Sequence, residues 1–186
     1  MEAIKKIELN KIAKIIFVAL LGTLLLTISA KIKIPFYPVP MTMQTFIVLF
    51  LGITLGPKIG LLTVSLYLFE GIFGLPVFAG TPEKGIGLVY FTGPTMGYLI
   101  GFLFAVYFAG SFKYDKGLIN IFLKLIFSVS FIYIFGLIWL GTLIGWDKPV
   151  FKLGAEPFLL AELFKILLLL FLTPTLLKAK KLIKIT

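Results

Sequence analysis

The chain contains no cysteine, no histidine and no arginine. Without cysteine and histidine, we exclude thiol chemistry, zinc sites and imidazole acid–base catalysis. Charged residues are also scarce, at 14%, whereas hydrophobic residues make up 60% and the mean hydropathy is +1.10. A soluble domain of 186 residues could not bury so much apolar surface, because most of its residues would have to be core. The composition therefore predicts a polytopic membrane protein.

Motifs of nucleotide binding and of hydrolysis are missing as well. Residues 80–85 have a spacing like that of a phosphate-binding loop, but Ile86 and Gly87 stand where Lys and Ser or Thr are required. No metalloprotease or serine-hydrolase motif is present. We therefore predict that the protein is not an enzyme and has no metal, cofactor or nucleotide site of its own.

Six apolar segments predict an all-α, six-transmembrane-helix bundle. A short basic N-terminus (1–11) precedes a single membrane domain (12–178), and a basic tail (179–186) follows it. We also expect no cleavable leader. The predicted spans cover about 12–30, 41–55, 57–73, 94–112, 119–144 and 157–177.

The formal net charge of +10 comes from lysine alone. We attribute it to the positive-inside bias of membrane proteins rather than to nucleic-acid binding. Six spans place both termini on one side. The lysines predicted on that side are Lys5, Lys6, Lys11, Lys14, Lys58, Lys113, Lys116, Lys124, Lys178, Lys180, Lys181 and Lys184. The opposite side has Lys31, Lys33, Lys84, Lys148 and Lys152. This excess predicts a multi-pass protein of the cell membrane with cytoplasmic termini.

Glycine and proline mark the remaining features. Residues 71–101, between the third and fourth spans, are too rich in both to form a simple helix, so we predict a structured outward loop that closes over a ligand. Glycines four residues apart recur at 52–60, 93–101 and 141–145. Such spacing places small residues on one helix face and indicates close helix packing.

Two ionisable residues lie deep in the sixth span. Glu162 and Lys165 are three residues apart and therefore share one helix face, which must point into the bundle because a lone charge in lipid is costly. They form either a structural ion pair or a site for a polar ligand. Glu70 is expected at the membrane interface, and the amide of Gln44 could both donate and accept hydrogen bonds near the outer end of the second span.

Three motifs together resemble a known family. PFYPVPMTMQTFIVLFLGITLGP (35–57), GLPVFAG (74–80) and GPTMGYLIGF (93–102) closely resemble the BioY family, the biotin-binding S components of energy-coupling-factor (ECF) transporters. The resemblance covers about residues 10–178. It implies high-affinity capture of biotin from outside, followed by release inward driven by a transmembrane T component and two cytoplasmic ATPases. ATP would then bind only to those partners.

The resemblance also implies site residues. Glu162 and Lys165 match the family's acidic residue and lysine, although the acidic residue is usually Asp, and Gln44 matches the motif glutamine. We expect these three to bind the ureido group of biotin. The other predicted ligand-binding residues are Phe36, Phe78, Ala79, Gly80, Lys84, Tyr90 and Tyr98. The predicted docking residues for the T component are Ala19, Gly22 and Thr23.

Three alternatives remain open at this point. The chain could bind another vitamin on the same fold. It could be a self-sufficient secondary carrier with Glu162 as its proton site. It could also be a membrane scaffold organised by its glycine faces, which would bind no small molecule.

Overall fold

The computed structural model describes the backbone of residues 2–35, 41–115 and 117–183, and the side chains of residues 9–35, 41–115 and 117–178. The helices in these ranges are α1 (Glu2–Lys31), α2 (Gln44–Ile72), α3 (Leu88–Phe91), α4 (Met96–Ser111), α5 (Leu118–Ile144), α6 (Val150–Gly154) and α7 (Glu156–Ile183). The strands are β1 (Lys33–Ile34) and β2 (Met41–Thr42), which pair antiparallel. The predicted helical class is thus correct apart from this small sheet.

Long apolar helices dominate the described part of the chain. Four segments there are long and apolar enough to cross a membrane: Leu9–Lys31, Gln44–Ile72, Leu118–Ile144 and Glu156–Lys178. The helix α4 is also apolar but shorter. Large hydrophobic side chains such as Phe17, Leu24 and Phe171 are exposed on the helix surfaces, as expected for contact with lipid. The protein is therefore a multi-pass membrane protein.

The long helix α2 reverses direction in its middle. Gly56 has φ 79° and ψ 176°, outside the helical region, and Pro57 follows it. The Gln44 Nε2 atom donates a hydrogen bond to Tyr67 Oη at 2.9 Å. In a continuous helix, 23 residues would separate these two positions by about 34 Å. The two halves of α2 must therefore run side by side, and the reversal falls at the Gly-Pro boundary predicted from the sequence.

Glycine residues let the backbones of α2, α4 and α5 pack in direct contact. A Cβ atom added at Gly52 would lie 2.6 Å from the Val106 carbonyl oxygen, and one at Gly101 would lie 2.5 Å from the Ile132 Cα. Helix α4 therefore packs tightly between α2 and α5. The predicted close packing is confirmed at Gly52, Gly60, Gly97 and Gly101, whereas Gly56 is non-helical and Gly93 precedes α4. The third series does not pack one helix against another, because Gly141 contacts the Trp146 side chain and Gly145 has φ 94°.

The segment between α2 and α3 has no regular structure over residues 73–87. Gly74, Gly80, Gly85 and Gly87 all have positive φ, between 64° and 91°, in a region that residues with a side chain rarely adopt. The Phe78 side chain of this segment is nevertheless 99% buried, with 1% of its surface exposed. The segment is therefore attached to the helix bundle rather than extended into solvent.

Candidate ligand-binding site

An acidic and a basic side chain are buried together on α7. Glu162 is 4% exposed and Lys165 is 9% exposed. The Lys165 Nζ atom lies 3.3 Å from Glu162 Oε2, so the two groups form an ion pair. The predicted shared face is correct, and the pair points into the bundle as the cost of an exposed charge in lipid requires.

All the donors around Glu162 converge on one of its two carboxylate oxygens. Thr45 Oγ1 donates to Oε2 at 3.1 Å, and Tyr133 Oη donates to the same atom at 3.3 Å. Lys165 Nζ also donates to Thr45 Oγ1 at 2.9 Å, which ties the pair to α2. The other oxygen, Glu162 Oε1, is buried and has no hydrogen-bond partner among the described residues. Such an atom is a free acceptor for a ligand, because leaving it unpaired is costly.

A cavity of about 400 Å³ adjoins this carboxylate, between α5, α6 and α7. Its size is within the range of small-molecule pockets. Glu162 supplies the charged group of the lining, and Tyr133 and Ser130 supply hydroxyls. The remaining lining residues are Ile126, Val129, Ile134, Leu137, Phe151, Ala155, Leu159, Leu163 and Ile166. The cavity therefore suits a mainly apolar molecule with a hydrogen-bonding group at one end.

Side chains from two helices hold the backbone of residues 77–79. Tyr67 Oη donates to the Val77 carbonyl at 3.0 Å, and Tyr90 Oη donates to the Ala79 carbonyl at 2.9 Å. Burial raises the pKa of the Tyr90 hydroxyl, so it stays protonated and able to donate. The Phe78 ring packs against both tyrosines, with centroids 5.2 Å and 4.8 Å away. Phe78, Tyr67 and Tyr90 thus form one aromatic cluster, and the bond from Tyr90 holds Ala79 beside it.

Several predicted ligand-binding residues lie away from the ion pair. The Gln44 amide donates to Tyr67 and accepts from Thr42, so it belongs to the aromatic cluster rather than to the carboxylate. Tyr98 donates to the Gly154 carbonyl at 2.8 Å, and its ring lies 6.3 Å from that of Tyr133.

Two more predicted ligand residues lie in the 73–87 segment. The Lys84 side chain covers Gly80, where an added Cβ would lie 2.8 Å from the lysine Cδ. Of the predicted ligand residues that the structure describes, Glu162 alone lines the cavity. Phe36 is outside the described residues.

The predicted docking face on α1 needs correction. Ala19 is 1% exposed and Thr23 is 4% exposed. A Cβ at Gly22 would collide with the Thr63 side chain of α2. Thr23 also donates to Glu70 Oε1 at 2.9 Å. These small residues therefore pack α1 against α2 in this structure and are not free to contact another protein.

Three functional candidates were not assigned from the sequence. Thr45 and Tyr133 complete the carboxylate site, and Lys31 bonds to the 73–87 segment. The sequence does contain a signal for Thr45 and Tyr133. Each has a hydroxyl within an apolar predicted span, where such a group needs a hydrogen-bond partner. No local pattern identified Lys31.

A helix bundle that buries a carboxylate and an ammonium group beside an apolar cavity is typical of a membrane protein that binds a small molecule. The chain belongs to the BioY family, which it matches over residues 3–182. Family membership assigns the chain to membrane transport rather than to catalysis.

Relatives and a solved structure agree with this family. The chain is 35% identical to the probable biotin transporter BioY of Pyrococcus horikoshii over 153 residues, which covers 82% of this chain and 90% of the relative. It is 34% identical to the biotin transporter BioY of Thermotoga maritima, with 77% and 84% covered. It also resembles the crystal structure of the S component for biotin from an ECF-type ABC transporter, with a TM-score of 0.72, 27% identity and coverage of 91% and 93%.

Proposed function

We propose that this protein captures biotin from outside the cell as the S component of an ECF-type transporter. The observation that carries the proposal is the buried Glu162 Oε1, which has no partner among the described residues and belongs to a side chain that lines an apolar cavity. The names of the relatives and of the solved structure support biotin as the ligand.

The chemistry of biotin suits this arrangement. Its ureido group has two N–H donors and one carbonyl acceptor, whereas its ring and side chain are largely apolar. We assign one ureido N–H to Glu162 Oε1. The ureido carbonyl would accept from the Tyr133 hydroxyl, whose single proton would turn from Glu162 Oε2 to the ligand. Buried polar groups of this kind reject analogues that leave them unpaired. Phe78, Tyr90 and Lys84 do not line this cavity, so we assign them no contact with the ligand there.

Titration of the purified protein with biotin in detergent tests the proposal. We expect saturable binding in the absence of a proton gradient, because an S component binds its ligand without coupling to ions. Desthiobiotin, which keeps the ureido group, should compete, and an analogue without the ureido N–H groups should not. Binding of another vitamin but not of biotin would overturn the proposed ligand. Biotin uptake by this chain alone in proteoliposomes, driven by a proton gradient, would favour the secondary carrier.

We further propose six membrane spans with cytoplasmic termini. The reversal at Gly56 would divide α2 into two spans, and α4 would supply another. The 73–87 segment would then face outward. Because the native chain has no cysteine, single replacements Lys84→Cys and Lys113→Cys can report sidedness with an impermeant maleimide. We expect labelling of intact cells at position 84 only. Labelling at position 113 but not at 84 would invert the topology.

A T component and two cytoplasmic ATPases complete the proposed transporter. The exposed side of α1, which includes Phe17, Leu20 and Leu24, is the surface that we now propose for docking, in place of the buried small residues. Co-purification of the chain with these partners tests the assembly. Leu24→Glu should abolish co-purification while biotin binding persists.

A further inference from the structure

The short helix α6 forms part of the cavity wall, at the end where α7 begins. Phe151 of α6 and Ala155, the residue that follows this helix, both line the cavity. Helix α7 starts at Glu156, six residues before Glu162, which corresponds to about 9 Å along the helix axis. The wall that α6 supplies is therefore separate from the carboxylate but belongs to the same cavity.

A side chain from another helix holds α6 in this place. Tyr98 Oη of α4 donates to the Gly154 carbonyl at 2.8 Å, and Gly154 is the buried last residue of α6. The backbone hydrogen bonds of residues 148–155 join positions no more than four apart. Within the part of the chain that the structure describes, the bond from Tyr98 is thus the one that ties α6 to another helix. A five-residue helix is too short to be stable by itself, so α6 depends on such a contact.

Two glycines make room for the Tyr98 side chain on its way from α4 to α6. A Cβ atom at Gly136 of α5 would collide with the tyrosine ring, and one at Gly154 would lie 2.6 Å from Tyr98 Oη. The ring also packs edge-on against Tyr133, with centroids 6.3 Å apart. Tyr98 does not line the cavity, but it contacts two elements that do.

We propose that Tyr98 is a positioning residue for ligand binding, whose hydroxyl holds α6 against the cavity and so limits how fast the ligand leaves. The role rests on the proposed function, because the ligand is the biotin assigned to this cavity. Tyr98 acts through Phe151 and Ala155, which line the cavity on either side of Gly154 in the sequence. Without the hydroxyl, the buried Gly154 carbonyl loses its donor, which is unfavourable, and α6 should separate from the cavity more often.

Tyr98→Phe removes the hydroxyl and keeps the ring. We expect labelled biotin, chased with unlabelled biotin, to dissociate about tenfold faster from this variant, with association changed less than about threefold. Amide hydrogen exchange over residues 150–156 should accelerate in the ligand-free variant. In the native protein, biotin should slow exchange over the same residues, because α6 covers the bound ligand.

Tyr114→Phe is the matched control. Tyr114 Oη also donates to a backbone carbonyl at 2.8 Å, that of Ala109, and Tyr114 follows the opposite end of α4. The two variants lose the same kind of bond, so the melting temperature should fall in both. Only Tyr98→Phe should change biotin dissociation and exchange over residues 150–156, because Tyr114 contacts neither α6 nor the cavity lining.

Native exchange over residues 150–156 in Tyr98→Phe would overturn the hold on α6. Faster exchange with native dissociation would also overturn the proposal, because α6 would then not retain the ligand. Equally fast dissociation from Tyr114→Phe would reduce the effect to a general loss of stability. If the native protein binds no biotin, the proposed function fails, and the exchange comparison alone then decides whether Tyr98 holds α6.

Discussion

Glu162→Gln and Lys165→Met are each expected to weaken biotin binding about 100-fold or more and to lower the thermal stability of the protein. Each change leaves one buried charge without its counter-ion, which typically costs about 3–5 kcal/mol. In Glu162→Gln the carboxylate becomes an amide, which has one acceptor oxygen and one NH2 donor group. When the NH2 group faces the ligand, it cannot accept a hydrogen bond from the ureido N–H. Isothermal titration in detergent and a thermal melt measure the two effects separately.

The double variant Glu162→Gln/Lys165→Met separates a ligand site from a structural ion pair. Removing both charges should recover much of the melting temperature, because neither charge is then left unpaired. Biotin binding should stay lost. If binding returns together with stability, the pair is structural and the proposed site is wrong. Glu156→Gln and Lys178→Met make the same chemical changes at exposed positions of α7 and should leave both measurements unchanged.

Gly110→Ala is expected to be among the most destabilising exchanges of glycine for alanine outside the positive-φ positions. A Cβ there would lie 2.5 Å from the Pro57 backbone nitrogen and 2.6 Å from the Gly56 carbonyl carbon. Both atoms belong to the backbone at the reversal of α2, so no side chain can rotate away. Overpacking of this kind costs about 1–3 kcal/mol.

A melt in detergent should show the Gly110→Ala midpoint about 2–12 °C below that of the native protein, since 1 kcal/mol corresponds to about 2–4 °C at this chain length. The neighbouring Ser111→Ala is the control, because Ser111 is exposed on the same turn of α4. An unchanged midpoint for Gly110→Ala would mean that α4 can move away from α2 without cost.

Local patterns predicted those features that depend on neighbouring residues. The boundary at Gly56-Pro57 is set by the backbone preferences of two adjacent residues, and the structure reverses the chain there. The shared face of Glu162 and Lys165 follows from helix geometry alone. Positive φ at glycines of the 73–87 segment agrees with the prediction for this part of the chain. The prediction of a loop over 71–101 was too broad, because residues 88–91 and 96–101 are helical.

Local patterns could not predict contacts between residues that are far apart in the sequence. Thr45 and Glu162 are 117 residues apart, and only the packing of α2 against α7 brings them into contact. The small residues of α1 show why spacing alone misled us about docking. Glycine and alanine favour close approach to any helix, and here Gly22 approaches α2 of the same chain. Spacing identifies a contact face but does not identify the helix that occupies it.

The buried ion pair also has a consequence for synthesis of the protein. Helix α7 is synthesised after α2 and α5, and an acidic or basic residue within a membrane helix makes its entry into the bilayer unfavourable, by up to about 2.5–3.5 kcal/mol at the helix centre. The hydroxyls that bond to the pair, on Thr45 and Tyr133, belong to helices made earlier. The order of synthesis therefore provides polar partners before α7 needs them. A circular permutant that begins with α7 would have to insert the two charges before these hydroxyls exist.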